Sequence, residues 1–192
     1  MRQALAKLPE TRRATAQLVY TAHSIPLPMA QGCRYEEQLK ETDRLIAEKL
    51  HHGNWRLVYQ SRSGPASQPW LEPDILDYLR EAKASNLASA VVLAPISFIS
   101  DHMEVLYDLD IEAQQLCDSL SLPMVRVKTV GVHPKFIAMI RELILERTNS
   151  GSERRAVGSL GPRQDVCEEN CCPAPQRPGR PLAVPGKPGG GA

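Results

Sequence analysis

A histidine and two carboxylates follow two apolar segments that lie far apart in the chain. His23 comes just after the run Gln17–Thr21, and Asp101 and Glu104 come after the run Ala90–Ile96. Both runs are predicted to be buried parallel strands. Ligands of open α/β sheets bind beyond the carboxyl ends of the strands. An imidazole and a carboxylate at that edge are suited to remove protons and to bind a divalent metal.

Two interpretations of His23 stay open on the sequence alone. A histidine at a sheet edge often only packs there, with one ring nitrogen bonded to a backbone carbonyl. Its position on the ligand side of the predicted sheet favours a functional role, because an ordinary imidazole titrates near pH ~6.5 and can take up a proton at neutral pH.

The acids after the third predicted strand also have two interpretations. Asp101 and Glu104 have the spacing of a capping box at a helix start, which by itself would explain both. Glu104, Asp108 and Glu112 follow at four-residue intervals, which places them on one stripe of an α-helix. That stripe is either a solvated acidic face or a path for metal ions and protons.

Two further groups of residues are candidates for binding. Arg62 and Trp70 lie in a loop that follows the second predicted strand, where a tryptophan either fills the core or, with an arginine, holds a flat anionic ring. Cys167, Cys171 and Cys172 resemble thiolate metal ligands. Three thiolates are one fewer than a usual cluster needs, so Cys33 or a partner chain would supply the fourth. An unstructured thiol-rich tail is the alternative.

Strands and helices alternate along the chain and define the elements that must position these residues. The predicted strands are Gln17–Thr21, Arg56–Gln60, Ala90–Ile96 and Met124–Thr129. The predicted helices run from about Tyr35 to His52, from Pro73 to about Ser85, within Ile99–Leu120, and over Pro134–Arg147. This order predicts right-handed crossovers and an α/β fold, a single three-layer lobe with a four-stranded parallel sheet of the Rossmann type.

The composition divides the chain into three parts. Residues 1–15 are predicted to be a lead-in helix or linker, and residues 16–149 the α/β lobe. Residues 150–192 hold seven prolines and eight glycines with few large apolar residues. Such a segment cannot bury enough apolar surface to offset its ordering entropy, so we expect a disordered tail that carries the cysteine cluster.

Charge and hydropathy exclude several classes of function. The formal net charge is +1 and no long basic block occurs, so nucleic acid is not an expected partner. No apolar run approaches the ~20 residues that span a bilayer, so no transmembrane segment is expected. The N-terminal residues lack the apolar core of a signal peptide, which predicts a cytoplasmic protein with reduced thiols. No G-x-G-x-x-G phosphate loop follows any predicted strand.

Three segments in the same order resemble the ferrochelatase family. They are Thr21–Pro26, then Tyr59–Arg62 with Gly64-Pro65 and Trp70-Leu71, and Ser97–Asp110. The likeness extends over about Gln17 to Arg147 and covers only the second half of such enzymes. Family members have two similar α/β lobes with the porphyrin between them. The resemblance therefore implies that an N-terminal lobe is missing. Either the chain is a fragment, or it assembles with another polypeptide.

The resemblance also implies an activity and roles for residues. The reaction is insertion of Fe²⁺ into a porphyrin, protoporphyrin IX or coproporphyrin III, with release of two protons in haem biosynthesis. Iron is a substrate, and no organic cofactor is needed. His23 and Glu104 match the residues assigned to iron, Asp108 matches a second acid, and Arg62 and Trp70 belong to a loop of the family pattern. Some members carry a [2Fe–2S] cluster on C-terminal cysteines.

Three other functions remain as alternatives. One is insertion of cobalt or another metal into a sirohydrochlorin-type ring. Another is a non-catalytic lobe that binds a porphyrin or a metal and has kept the edge of the pocket. The third is a flavodoxin-like domain with no tetrapyrrole role.

Overall fold

A computed structural model describes residues 1–65, 67–149 and 151–169 of the chain. The strands are β1 (Gln17–His23), β2 (Trp55–Gln60), β3 (Val91–Pro95) and β4 (Met124–Arg126). The helices are α1 (Arg2–Lys7), α2 (Glu10–Arg13), α3 (Leu27–Gln31), α4 (Tyr35–Leu50), α5 (Ile75–Ala84), α6 (Met103–Val105), a π-helical segment (Leu106–Ala113), α7 (Gln114–Ser119) and α8 (Pro134–Thr148).

The four strands form one parallel sheet in the order β2-β1-β3-β4, so β1 lies in its interior. Residues Leu18 to Ala22 of β1 are all buried, as expected for a strand with helices on both faces. The register pairs His23 with Gln60, and Thr21 with Pro95. The carboxyl ends of the three strands therefore meet at one edge.

Two apolar clusters cover the two faces of the sheet. Helix α5 and the stretch from α6 to α7 pack on one face, through Ile75, Leu79, Leu109 and Cys117 among others. Helices α1 and α4 pack on the opposite face, through Ala4 and Leu39. This arrangement confirms the predicted three-layer α/β lobe with its four-stranded parallel sheet.

The ends of several elements differ from the sequence-based prediction. Strand β1 continues to His23, and β4 ends at Arg126. Pro73 was predicted to open a helix, and this is wrong. The helix starts at Ile75, because the Asp74 carboxylate accepts the Leu76 amide at 2.8 Å and caps it. The Pro73 carbonyl instead accepts the Tyr59 amide at 2.9 Å beside β2.

The two ends of the lobe also contact its body. Ala4 of α1 and Leu8 are buried in the core beneath the sheet. Residues 151–169 contain no helix or strand, and the Ser159 amide and hydroxyl donate to one Glu41 oxygen on α4 at 2.7 and 3.0 Å. Cys171 and Cys172 lie outside the described residues. Across the described ranges, the helices are too short or too polar to cross a membrane.

Asp43 on α4 is a buried carboxyl group within the apolar cluster. It is 0% exposed, and neither carboxylate oxygen has a hydrogen-bond partner among the described residues. Burial raises the pKa of Asp43 to about 7, because the charged form loses its hydration. The nearby carboxyl also raises the pKa of Tyr20, after the larger effect of that phenol's own burial. The carboxylate form of Asp43 therefore destabilises the fold.

We predict that Asp43 makes the lobe less stable as the pH rises. Its folded-state pKa lies above the unfolded value, so the folded chain binds the extra proton between about pH 4 and pH 7. Urea unfolding should show wild type losing about 2–3 kcal/mol from pH 5 to pH 8 relative to Asp43→Asn. Asp77→Asn, at an exposed position on α5, is the matched control and should follow wild type. Equal pH dependence in wild type and Asp43→Asn would contradict the assignment.

Candidate functional site

His23 is the last residue of β1, and its backbone is fixed from two sides. The His23 amide donates to the Ser97 hydroxyl at 3.0 Å, and the Tyr35 hydroxyl donates to the His23 carbonyl at 3.0 Å. Ser97 follows β3, and Tyr35 begins α4. The imidazole is therefore carried by a rigid strand end, with 34% of its side chain exposed at the sheet edge.

The tautomer of His23 follows from one hydrogen bond. Its Nδ1 lies 2.5 Å from the Ser24 carbonyl oxygen. Since a carbonyl can only accept, Nδ1 carries a hydrogen and Nε2 of the neutral ring keeps its lone pair. A hydrogen bond from a ring nitrogen to a backbone carbonyl was the purely structural alternative for this histidine, and that bond is present. It leaves Nε2 free to accept a proton or to ligate a metal.

Glu104 faces that nitrogen. His23 Nε2 lies 3.9 Å from Glu104 Oε2, and the Glu104 side chain is 55% exposed. The Phe98 ring lies between neighbouring imidazoles, with centroids 6.3 Å from His23 and 5.2 Å from His102. The structure therefore brings together the two residues on which the sequence-based hypothesis depends, at an open face bordered by aromatic rings.

The helix that carries Glu104 is not a regular α-helix. Leu106–Ala113 is π-helical, between the short α-helical pieces α6 and α7. A turn of a π-helix contains more residues than a turn of an α-helix. Four residues therefore make slightly less than one full turn, whereas in an α-helix they make slightly more. The segment that carries Asp108 and Glu112 is therefore π-helical and not α-helical as predicted, and the shared stripe of Glu104, Asp108 and Glu112 stays a prediction.

Asp108 reaches the end of β2. The Ser61 hydroxyl donates to Asp108 Oδ2 at 2.5 Å, and the Gln60 side-chain amide donates to the same oxygen at 3.2 Å. Gln60 is 1% exposed, and Ser61 has a positive φ of 61° that turns the chain there. The second acid is thus held by polar groups at the carboxyl end of the strand that pairs with β1.

The capping-box interpretation of Asp101 and Glu104 is wrong. The helix N-cap is His102, whose side chain makes no capping hydrogen bond. Asp101 instead accepts from Arg126 Nη1 at 2.9 Å and from the Thr129 amide at 3.3 Å. Burial would raise the pKa of Asp101, but these donors outweigh it and lower that pKa.

The proposed ring-binding pair lies in the loop after β2. Arg62 is exposed, and its Nη2 donates to the Gln68 carbonyl at 3.2 Å. Trp70 is half-buried and pairs with Pro26, beyond His23 in the chain. Its indole lies directly on Gly64, where an added Cβ would come within 2.5 Å of the ring. Trp70 thus fills space in the loop, the packing role considered for it.

The cysteines are separate from this site in the described part of the chain. Cys167 is exposed, Cys117 is buried in the core, and Cys33 is half-buried with its thiol on the Ala30 carbonyl. Burial raises the pKa of Cys117, which keeps it a thiol. Within the described ranges, no three His, Cys, Asp or Glu residues are grouped so as to hold a metal ion.

Several residues of the site were not identified from the sequence. Ser97, Gln60 and Ser61 supply hydrogen bonds to His23 and Asp108, and Arg126 binds Asp101. One signal was available, since Gln60 and Ser61 form a polar end to an otherwise apolar strand. A lone arginine in the short strand β4 was another.

Comparisons with known proteins identify the family. A family model described as Ferrochelatase matches residues 1–148. A ferrochelatase of Rhodopirellula baltica is 49% identical over 174 residues, covering 88% of this chain and 50% of that protein. Coproporphyrin III ferrochelatases of Streptomyces griseus and Streptomyces coelicolor are 48% and 44% identical, covering 88% and 95% of this chain and 50% and 53% of those proteins.

One solved structure shows a weaker likeness. A cobalamin biosynthesis CbiX protein from Marinobacter aquaeolei VT8 has a TM-score of 0.47 and 16% identity, covering 72% of this chain and 98% of that one. We draw no argument from a likeness at that level.

The matched region is only part of each relative. The chain spans about half the length of the curated relatives it matches. The family model nevertheless covers most of the 192 residues and includes the whole His23–Glu104 site. The chain belongs to the ferrochelatase family.

Proposed function

We propose that this chain is the metal-handling lobe of a ferrochelatase. In this proposal it acts in the cytoplasm, in haem biosynthesis, with a second, N-terminal lobe. The reaction inserts Fe²⁺ into a porphyrin and releases the two pyrrole N–H protons. The observation that carries the proposal is His23 Nε2 facing Glu104 Oε2 at 3.9 Å, at the edge of the sheet where α/β proteins bind ligands.

His23 supplies the proton acceptor or the first metal ligand. Its Nδ1–H is held by the Ser24 carbonyl, so the lone pair on Nε2 points away from that bond. A pyrrole N–H presented to this nitrogen can transfer its proton without movement of the strand. The same lone pair is a good ligand for ferrous iron, and the carbonyl bond makes it a better donor.

Glu104 and Asp108 supply negative charge near that nitrogen. A carboxylate opposite the imidazole stabilises either the imidazolium that forms or the incoming Fe²⁺. Asp108 keeps one oxygen bonded to Ser61 and Gln60, which fixes its carboxylate beside the strand end. We infer that Glu104 acts where the two pyrrole protons are exchanged for Fe²⁺. Asp108 passes protons or metal ions along the helix.

The porphyrin would lie on the open face of the site. Phe98 is beside His23, His102 is beside Phe98, and Ile99 and Met103 are 65% and 78% exposed. Exposed apolar groups next to a polar pair suit a flat, largely apolar macrocycle. We keep Arg62 and Trp70 as proposed ring contacts, with Arg62 pairing a propionate carboxylate and Trp70 lying in the supporting loop.

A second lobe is part of the proposal for two reasons. The relatives are about twice as long as the matched region. The face that carries Glu104 and Met103 is exposed, whereas ligand sites of small molecules usually enclose most of the ligand surface. A lobe packed over this face would enclose the ring and exclude water.

A [2Fe–2S] cluster on Cys167, Cys171 and Cys172 is a further part of the proposal. Cys167 shares a cavity of about 550 Å³ with Arg34, the neighbour of Cys33. Cys33 is the fourth thiol in this proposal.

The cluster proposal has a spectroscopic test. Protein purified without oxygen should show a visible absorption band that Cys167→Ser and Cys33→Ser both remove and Cys117→Ser leaves unchanged. A band that persists in Cys33→Ser would assign the fourth ligand elsewhere. A colourless wild-type protein, with no iron or sulfide by analysis, would remove the cluster from the proposal.

The proposed activity is tested by reconstitution. The chain is mixed with the N-terminal half of the Rhodopirellula baltica relative, and Fe²⁺-dependent absorbance changes of protoporphyrin IX and coproporphyrin III are followed without oxygen. We expect turnover with both halves and little or none with this chain alone. Turnover with Co²⁺ and a sirohydrochlorin-type ring only would favour the cobalt alternative. Porphyrin binding without turnover in either mixture would favour a non-catalytic lobe.

The roles of the facing pair are tested by substitution in the reconstituted enzyme. His23→Ala should lower kcat by about 100-fold or more, because it removes the proton acceptor. Glu104→Gln keeps the shape but removes the charge, and should lower kcat by about 10- to 100-fold. His51→Ala, at an exposed histidine after α4, is the control and should retain full turnover. Near-normal kcat in His23→Ala would contradict the mechanism.

A further inference from the structure

Arg126 connects two parts of the segment that carries both site acids. It is the last residue of β4, and its side chain is only 13% exposed. Its Nη1 donates to Asp101 Oδ1 at 2.9 Å, three residues before Glu104. Its Nε and Nη2 both donate to the Asp110 carboxylate, the latter at 2.7 Å. Asp110 lies in the π-helical segment, two residues after Asp108.

One guanidinium therefore holds the segment before Glu104 and the segment after Asp108. The contact with Asp110 is bidentate, a geometry that fixes orientation as well as distance. A second donor to Asp101, the Thr129 amide, holds it from the loop after β4. Strand β4, which carries Arg126, is hydrogen-bonded to β3 in the sheet. Arg126 therefore attaches the helix to the same sheet that carries His23.

The helix between these two points needs such a restraint. Alpha-helical, π-helical and α-helical pieces follow one another from Met103 to Ser119, and the N-cap His102 provides no side-chain hydrogen bond. The side chains of Leu106, Tyr107 and Ile111 are 39–50% exposed, so packing alone holds that face weakly. The core side packs through Val105 and Leu109, which are fully buried, and the Arg126 contacts restrain the opposite, exposed side.

We propose that Arg126 is a positioning residue, which sets the rotation of the Met103–Ala113 helix so that the Glu104 carboxylate faces His23. This inference rests on the proposed function, and it names the residue outside the site that controls the geometry of the facing pair. Lysine is a poor substitute, because a single ammonium cannot make the forked contact with Asp110 and reach Asp101 as well.

The test measures the His23–Glu104 contact without any turnover. NMR of the intact chain at one fixed pH follows the ring Cε1–H signal of His23, assigned by its loss in His23→Ala. Glu104→Gln is made in the wild-type, Arg126→Met and Arg126→Lys backgrounds. The change in His23 chemical shift caused by Glu104→Gln is the measure of contact in each background.

We expect a clear shift change in the wild-type background, which falls to less than half in Arg126→Met and to an intermediate value in Arg126→Lys. Arg80→Met is the matched control, since Arg80 pairs with Asp77 on the exposed face of α5. It should leave the shift change intact. Asp110→Asn keeps the arginine and loses the ionic fork. It should give a reduced shift change and provides a reading if Arg126→Met fails to fold.

The outcomes separate the inference from the proposed function. An equal shift change with and without Arg126 overturns the positioning role and leaves the facing pair in place. No shift change from Glu104→Gln in any background overturns the facing pair, and the positioning role with it. In the reconstituted enzyme, Arg126→Met should lower kcat by about 10-fold or more with little effect on the KM for porphyrin, because a small misplacement of a reacting group is costly. An equal loss in kcat with a large rise in that KM would indicate a disturbed ring site instead.

Discussion

The parallel pairing of β1 with two neighbours is the constraint on which the site depends. In a parallel sheet the carboxyl ends of adjacent strands lie at the same edge, whatever the distance between them in the chain. His23 pairs with Gln60, and Thr21 pairs with Pro95. Gln60 bonds Asp108, and the chain after Pro95 leads to Glu104, so the pairing brings His23 and both acids to one edge of the sheet. Strand β1 is buried on both faces, so its side chains must fit the apolar packing on each side of the sheet.

The site is built by three kinds of support at that edge. The hydroxyls of Ser97 and Tyr35 hold the His23 main chain, a carbonyl fixes its tautomer, and side-chain hydrogen bonds hold Asp108. None of these contacts places the imidazole in a closed pocket. The imidazole thus lies at an open sheet edge, and the chain matches about half of its relatives' length.

The sheet and the meeting of His23 with Glu104 were accessible from the sequence, because both follow from apolar runs and the order of elements. The path of the helix was not. Four-residue spacing of acids indicates an α-helix, whereas the π-helical turn depends on hydrogen bonds that leave no periodic signal. Asp101 has the residue type and spacing of a cap, but a buried arginine from a distant strand competes for its carboxylate. Such tertiary contacts override local preference. The later helix start after Pro73 has a local cause, since the Asp74 carboxylate caps the Leu76 amide.

The π-helical turn also makes the length of this stretch matter independently of its composition. A π-helical turn contains more residues than an α-helical turn, so ordinary α-helical bonding over the same eight residues would rotate one end against the other. Either the acids would leave the sheet edge or Cys117 and Ala113 would leave the core, where both are now fully buried. The number of residues in this stretch is therefore matched to its π-helical bonding, and a return to α-helical bonding at this length would disturb the site or the core.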